Sequence, residues 1–150
     1  MKRALVLVCA LLPACVAPSA ARPARSWPAS ERAPQPVGPY SQAVRVGDTL
    51  WLAGQVGLDP ESGALVEGGV AAQTERALAN LGAVLEAAGM GLGDVVEVQV
   101  FLADLGDFAA MNAVYADAFP PPAPARTTVG VSALPLGAAV EIRAVAVAAR

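Results

Sequence analysis

The chain has 150 residues, enough for one domain with one hydrophobic core, and it contains no histidine and only two cysteines, Cys9 and Cys15. The lack of histidine removes the commonest acid/base group at neutral pH and the commonest metal ligand. Because both cysteines lie near the N-terminus, the rest of the chain has no disulfide, thiol nucleophile or cysteine metal site.

The charges are divided unevenly along the chain. Residues 1–32 carry a net charge of +4, whereas residues 33–150 contain five arginines, no lysine and twelve acidic residues, which give −7. Proteins that bind nucleic acids usually present clustered lysines and arginines to the phosphates. The acidic, lysine-free region therefore argues against a nucleic-acid partner.

The first twenty residues have the three-part plan of a secretory signal peptide. A basic start at Lys2 and Arg3 precedes a short apolar run at residues 4–12, and small residues and prolines follow. The apolar run is too short for a membrane-spanning helix. We therefore predict a signal peptide over residues 1–20 and an exported, periplasmic protein. A cytoplasmic protein with a mis-assigned start codon is the alternative.

Residues 12–15, Leu-Pro-Ala-Cys, also resemble a bacterial lipobox. In such a signal, here residues 1–14, the cysteine is lipidated and becomes the first residue of the mature chain. Lipidation of Cys15 would anchor the protein to the cell envelope, and simple cleavage is the alternative. Residues 21–33 are rich in Ala, Pro, Arg and Ser and have no period, so they are expected to form a disordered linker before a folded domain over residues 34–150.

The folded region opens with a predicted β-hairpin. The runs 43–46 and 49–53 flank Gly47 and Asp48, and a glycine in the first position is typical of a tight hairpin turn. Gly54 follows the second strand directly.

Two amphipathic helices with a strand between them come next. Residues 70–88 repeat leucine, valine and alanine on one face, and Gly89 is suited to end that helix. Residues 94–102 alternate as a strand does, and residues 106–118 form the second helix. Three prolines at 120–122 end the second helix.

The last two predicted strands, residues 124–129 and 140–145, each carry a charge in an apolar, β-branched run. Arg126 lies in the first strand and Glu141 in the second. Because the linker between them is short, the two strands are expected to lie close in space. An arginine fork binds a carboxylate with two parallel hydrogen bonds, and a nearby glutamate could act as a base on water.

The predicted order is β-β-α-β-α-β-β. It indicates an α+β domain in which two helices lie on one face of a single mixed sheet. The other face of the sheet then needs a cover, and association with further copies of the chain is the natural way to supply one.

Many short motifs resemble the RidA family, also called YjgF/YER057c/UK114, in the family's order and spacing. They cover residues 34–149, and they are GPYSQA at 38–43, AGQ at 53–55, AAQT at 71–74, EAAGM at 86–90 with Asp94, VFLADL at 100–105, FAAMN at 108–112, Tyr115, Phe119, PARTTV at 124–129 and VEI at 140–142.

This resemblance implies the chorismate-mutase-like fold and a homotrimer with three clefts between subunits. It also implies hydrolytic deamination of reactive 2-imino and enamino acids, with 2-iminopropanoate as the model substrate, to 2-oxo acids and ammonia. Such a 2-iminobutanoate/2-iminopropanoate deaminase needs no metal and no cofactor. Its partners would be a small imino or enamino acid and two further copies of the same chain.

The resemblance also assigns roles to individual residues. Arg126 would hold the substrate carboxylate, and Glu141 would position and activate the attacking water. Tyr40 would line the cleft, Gly54 would offer a backbone contact beside the substrate, and Asn112 would lie near the pocket.

Two positions depart from the usual pattern of the family. Thr128 stands where cysteine is frequent and could still offer a hydroxyl group. Ala53 stands where many members have a serine whose hydroxyl bonds the substrate, so the substrate preference of this chain is open.

Several alternatives remain at this point. Arg126 could form a structural ion pair with Glu141 or a neighbouring chain, and Glu141 could pair with Arg143 on the same strand face. The protein could instead be a non-catalytic trimeric module of the cell envelope that binds small carboxylates or a protein. A ribonuclease, reported for some relatives, is disfavoured by the acidic charge.

Overall fold

A computed structural model describes residues 23–149, and its centre is a single mixed β-sheet. The predicted signal peptide and Cys15 lie outside the described residues. No helix within residues 23–149 is long and apolar enough to cross a membrane. The strands are β1 (Arg25–Ser26), β2 (Ala43–Val46), β3 (Thr49–Leu52), β4 (Gln55–Val56), β5 (Val95–Leu102), β6 (Ala125–Gly130) and β7 (Val140–Val147), and the helices are α1 (Gly69–Ala87) and α2 (Phe108–Ala118).

The sheet has the order β1-β2-β3-β7-β5-β6, and β4 also pairs with β7. Strands β5 and β6 are parallel, as expected for two strands joined through helix α2, and the other pairs are antiparallel. The predicted hairpin forms between β2 and β3, and Gly47 has the left-handed φ of 60° that its turn requires. The predicted class, an α+β domain with one mixed sheet and two helices, is confirmed.

The expectation that the last two strands lie close together is wrong. Strand β5 lies between β6 and β7, and Leu102 of β5 pairs with Gly130 on one side and Val140 on the other. The linker after β6 therefore crosses the end of β5 before the chain enters the sheet as β7. The β5–α2–β6 unit places β6 at the sheet edge, and β7 fills the position between β3 and β5.

Two buried amide side chains of helix α1 hold strand β4 and the start of strand β7. The Gln73 side-chain carbonyl accepts a hydrogen bond from the Ala139 amide at 2.8 Å, just before β7 begins. The Asn80 side chain donates to the carbonyls of Val56 at 3.3 Å and Leu58 at 2.9 Å. Because β4 is only two residues long, these bonds supply support that strand pairing alone would not give.

Residues 23–42 before β2 pack on the domain, whereas a disordered linker was predicted over residues 21–33. Strand β1 pairs with β2, and Ala33 is only 1% exposed. The Gln42 side chain accepts a hydrogen bond from the Ser30 amide and donates to the Ser30 carbonyl, and Arg32 forms an ion pair with Glu86. Contacts of this kind produce no hydrophobic periodicity in the sequence. The prediction of disorder therefore relied on composition alone.

The sheet face opposite the helices is partly open in the single chain. Trp51 of β3 pairs with Val145 of β7 on this face and is 42% exposed. Val129 of β6, beside Phe101 of β5, is 41% exposed. Exposed apolar side chains on one face of a sheet are typical of a surface that binds another molecule.

Candidate active site

Glu141 lies in a cleft on the sheet face opposite the helices. The cleft has a volume of about 630 Å³ and a largely apolar lining that includes Tyr40, Val56 and Leu136. Tyr40 is 52% exposed at the rim, and Val56 pairs with Glu141 across β4 and β7. We call this region the Glu141 cleft and define it by Tyr40, Gly54 and Glu141.

Gly54 leaves the space that the Glu141 carboxylate occupies. A Cβ atom at Gly54 would lie 2.8 Å from the Glu141 Cδ atom and closer still to Oε1, nearer than real Cβ contacts come. Every other amino acid at this position would therefore push the carboxylate away. Glycine is therefore required at position 54 for a steric reason that is unrelated to the β2–β3 hairpin.

The carboxylate of Glu141 has no cationic partner within residues 23–149. The ion pairs in this part of the chain are Arg32–Glu86 and Arg76–Asp59, so the alternative pairs of Glu141 with Arg126 and Arg143 do not form. Burial raises the pKa of Glu141 above its ordinary value of 4.5. A carboxylate without a cation and with a raised pKa is suited to accept and return a proton.

Arg126 lies on the opposite face of the sheet, against helix α2. Its Nη2 atom donates a hydrogen bond to the Asn112 side-chain oxygen at 2.8 Å. Its Cζ atom lies 4.3 Å from the ring centre of Tyr115 and 5.8 Å from that of Phe108. We call Arg126, Asn112, Tyr115 and Thr128 the Arg126 group.

Two oxygens of the Arg126 group are buried without a hydrogen-bond partner in the described part of the chain. They are the hydroxyl oxygens of Tyr115 and Thr128. Burial raises the pKa of Tyr115, and the positive charge of Arg126 opposes this effect. Thr128 lies two residues after Arg126 and so shares its face of β6.

The structure brings the predicted site residues together as two separate sets. Arg126 pairs with Val98 of β5, whereas Glu141 pairs with Phe101, three residues further along the same strand. Two strand spacings separate the two residues by about 10 Å across the sheet, and three residues add about 10 Å along it. Since their side chains also lie on opposite faces, one chain does not bring Arg126 and Glu141 together.

Two features of the site were missed in the sequence. The aromatic ring of Tyr115 beneath Arg126 could have been found, because Phe108, Asn112 and Tyr115 follow the spacing of one helix face. Leu136 gave no such signal. It is 71% exposed at the cleft rim and has a left-handed φ of 60°, which is uncommon for a residue other than glycine.

No group of three or more His, Cys, Asp or Glu side chains within residues 23–149 could hold a metal ion. The Glu141 cleft offers a half-buried carboxylate, and the Arg126 group offers a guanidinium stacked on an aromatic ring.

The fold and these two sets of residues define a small α+β protein of the RidA/YjgF type. A family model described as endoribonuclease L-PSP matches residues 30–148. The chain belongs to this family, which is also called the RidA or YjgF family.

Three individual proteins show how near the relationship is. The mouse 2-iminobutanoate/2-iminopropanoate deaminase is 51% identical over 116 residues, which cover 77% of this chain and 86% of the mouse protein. The structure of RidA from the Antarctic bacterium Psychrobacter sp. PAMC 21119 matches with a TM-score of 0.79 at 46% identity, over 82% of this chain and 99% of that one. E. coli TdcF with bound serine matches with a TM-score of 0.78 at 36% identity, over 83% and 99% of the two chains.

The raised pKa of Glu141 predicts a pH-dependent effect of the substitution Glu141→Gln. Above its raised pKa the buried carboxylate is ionised and opposes folding, whereas below pH 4.5 the carboxyl is neutral in both the folded and the unfolded state. We therefore expect Glu141→Gln to have a higher free energy of unfolding than wild type at pH 7 and to lose this advantage as the pH falls from the raised pKa of Glu141 to 4.5 and below.

Urea unfolding at several pH values between 4 and 8 measures this difference. The substitution of an exposed acid, Glu67→Gln, serves as the control. A difference between Glu141→Gln and wild type that stays constant over the whole pH range would show that the Glu141 carboxylate is not destabilised by burial.

Proposed function

We propose that this protein hydrolyses reactive 2-imino and enamino acids, such as 2-iminopropanoate, to 2-oxo acids and ammonia. The observation that carries the proposal is the carboxylate of Glu141, which has no cationic partner among the described residues, lies against Gly54 in an open cleft and has a raised pKa. The name of the mouse relative, which is half identical, supports the same reaction. We further propose, from the leader sequence, that the protein acts after export.

The reaction requires Arg126 and Glu141 to reach one small molecule. In a 2-imino acid the carboxylate carbon and the imine carbon are bonded neighbours, about 1.5 Å apart. Within one chain Arg126 and Glu141 lie on opposite faces of the sheet with β5 between them. We therefore propose that a complete site takes Glu141 from one chain and Arg126 from a neighbouring chain.

A homotrimer is the assembly that the family resemblance implies. The apolar sheet face around Trp51 and Val145 gives such an assembly a surface to cover, since these residues are only partly buried in the single chain. A closed ring of three copies would form three equivalent sites.

The chemistry of the proposed site begins with addition of water. The C2 atom of a protonated imine is electrophilic, and the Glu141 carboxylate would accept a proton from water as the oxygen bonds to C2. The protonated Glu141 would then transfer its proton to the nitrogen of the resulting carbinolamine. Glu141 would take the hydroxyl proton as the C–N bond breaks, which leaves a 2-oxo acid and ammonia; the ammonia then takes up the proton as ammonium.

Arg126 would hold the substrate during these steps. Its guanidinium has five N–H groups, and Asn112 takes one of them, so enough donors remain for a two-point grip on a carboxylate. Holding the carboxylate fixes C2, to which it is bonded, relative to Glu141 and its water.

A second candidate function is a non-catalytic trimeric module that binds small carboxylates. It is favoured by Ala53 in the lining of the Glu141 cleft, because a methyl group there offers no hydrogen bond to a substrate. The E. coli relative with bound serine supports a small amino-acid-like ligand for either function. RNA cleavage is not favoured, since residues 23–149 contain no lysine and more than twice as many acids as arginines.

The direct test measures ammonia release from enzymatically generated 2-iminopropanoate, above its spontaneous hydrolysis. Arg126→Ala is expected to lower kcat/KM by roughly 100-fold or more, because it removes two charge-assisted hydrogen bonds to the carboxylate. Arg76→Ala removes the same charge from a position outside the Glu141 cleft and the Arg126 group, and it should keep wild-type activity.

Light scattering must show that each variant keeps the wild-type mass. Wild type that does not exceed the buffer rate would contradict the deaminase and leave the binding module as the function. An Arg126→Ala variant with full activity would remove Arg126 from the site.

A methyl group at position 54 tests the contact between Gly54 and Glu141. Gly54→Ala is expected to lower kcat by about 100-fold, because the new Cβ must displace the carboxylate that activates water. Gly82→Ala is the matched control, since its Cβ on helix α1 meets no atom within 4 Å. If both variants kept the wild-type kcat, the carboxylate position in the structure would not be the catalytic one.

A further inference from the structure

We propose that Tyr115 is a positioning residue, whose ring fixes the plane of the Arg126 guanidinium for its grip on the substrate carboxylate. The inference rests on the proposed function, which gives Arg126 its ligand. It adds a residue that neither the family resemblance nor the sequence pattern assigned to the site.

The placement of Tyr115 follows from the helix on which it lies. Phe108, Asn112 and Tyr115 are spaced four and three residues apart, so all three lie on one face of α2. Arg126 projects from β6 onto this face, where its Cζ atom lies 4.3 Å from the Tyr115 ring centre. The distance to the Phe108 ring is longer, 5.8 Å, and Phe108 is 41% exposed.

The Tyr115 ring is itself held firmly. Tyr115 is only 5% exposed, and its ring centre lies 4.7 Å from that of Phe119, which is also buried. A ring packed in the core has one orientation, so a guanidinium that stacks on it is also restricted.

Tyr115 and Asn112 restrict Arg126 in different ways. The hydrogen bond to the Asn112 oxygen fixes one Nη atom but leaves the guanidinium free to turn about that bond. The ring beneath it determines the plane. A two-point grip on a carboxylate needs both, since two parallel N–H bonds must point at two oxygens in one plane.

The ring, and not the hydroxyl, carries this role. The Tyr115 hydroxyl is buried without a hydrogen-bond partner in the described part of the chain, so it does not hold Arg126 through a hydrogen bond. Phenylalanine would keep the aromatic face, whereas leucine would fill much of the volume without it.

The test compares three variants of the full chain: Tyr115→Phe, Tyr115→Leu and the control Phe119→Leu. Phe119→Leu removes a neighbouring aromatic ring of the same buried cluster that does not stack on Arg126. The readouts are KM and kcat with 2-iminopropanoate, the Kd of pyruvate as a carboxylate probe, and the NMR shift of the Arg126 Nε–Hε group, which a ring beneath it displaces.

We expect Tyr115→Leu to raise KM and the pyruvate Kd by about 10-fold with kcat nearly unchanged, and to remove the ring-induced NMR shift. Tyr115→Phe should retain most of the affinity and the shift. Phe119→Leu should lower stability and leave KM and the shift as in wild type. If Tyr115→Leu does not fold, Tyr115→Met replaces it.

Three results would overturn the inference. Equal changes in Tyr115→Leu and Phe119→Leu would mean a purely structural role, and equal losses in Tyr115→Phe and Tyr115→Leu would assign the effect to the hydroxyl. The absence of a ring-induced shift in wild type would refute the stacking itself. If wild type shows the shift but no deaminase activity, the proposed function fails while the NMR comparison still decides the role of Tyr115.

Discussion

Hydrogen bonding of β7 to three other strands is the constraint on which the site depends. β7 pairs with β3 near its end, with β4 near its start and with β5 along most of its length. This central position fixes the backbone of Glu141, and the pairing with β4 brings Gly54 beside its carboxylate. The same position of β7 keeps Glu141 two strands away from Arg126.

The Glu141 cleft and the Arg126 group differ in how the protein positions their functional side chains. Glu141 is placed by the backbone pairing of β7 and by the space that Gly54 leaves for its carboxylate. The cleft around it is largely apolar, and burial raises its pKa. Arg126 lies at the sheet edge, where no further strand within residues 23–149 pairs with β6, and it is placed by side chains of α2. An acid left without a cation and an arginine left with free donors are complementary, and this makes a shared site between two chains chemically reasonable.

Local patterns in the sequence predicted the elements well but not their neighbours. The hairpin turn at Gly47 and the helical repeat of α1 depend on residues close in the chain, and both are found where they were expected. The order of strands depends on crossovers, which periodicity does not encode, so β6 and β7 were wrongly expected to lie close in space. The packing of residues 23–42 was missed because a two-residue strand, one ion pair and the side chain of Gln42 hold this segment, and none of them gives a periodic pattern.

The site could be predicted in part for the same reason. The family motifs named Arg126 and Glu141, but their separation within one chain follows only from the three-residue offset of their partners along β5. The contact between Glu141 and Gly54 could not be predicted from local patterns, because the two residues are far apart in the sequence. The conformation of Leu136 had no local signal at all, since leucine is not a residue that favours a left-handed φ.

The central claim is that one site combines residues of two chains, and mixed assemblies test it most directly. Arg126→Ala and Glu141→Gln are each expected to be inactive, and the two proteins are refolded together in equal amounts. If neighbouring chains supply the two residues, random trimers should recover about a quarter of the wild-type activity, since about one cleft in four combines both intact residues. A mixture that forms mixed trimers by native mass spectrometry and stays as inactive as its parents would contradict the shared site.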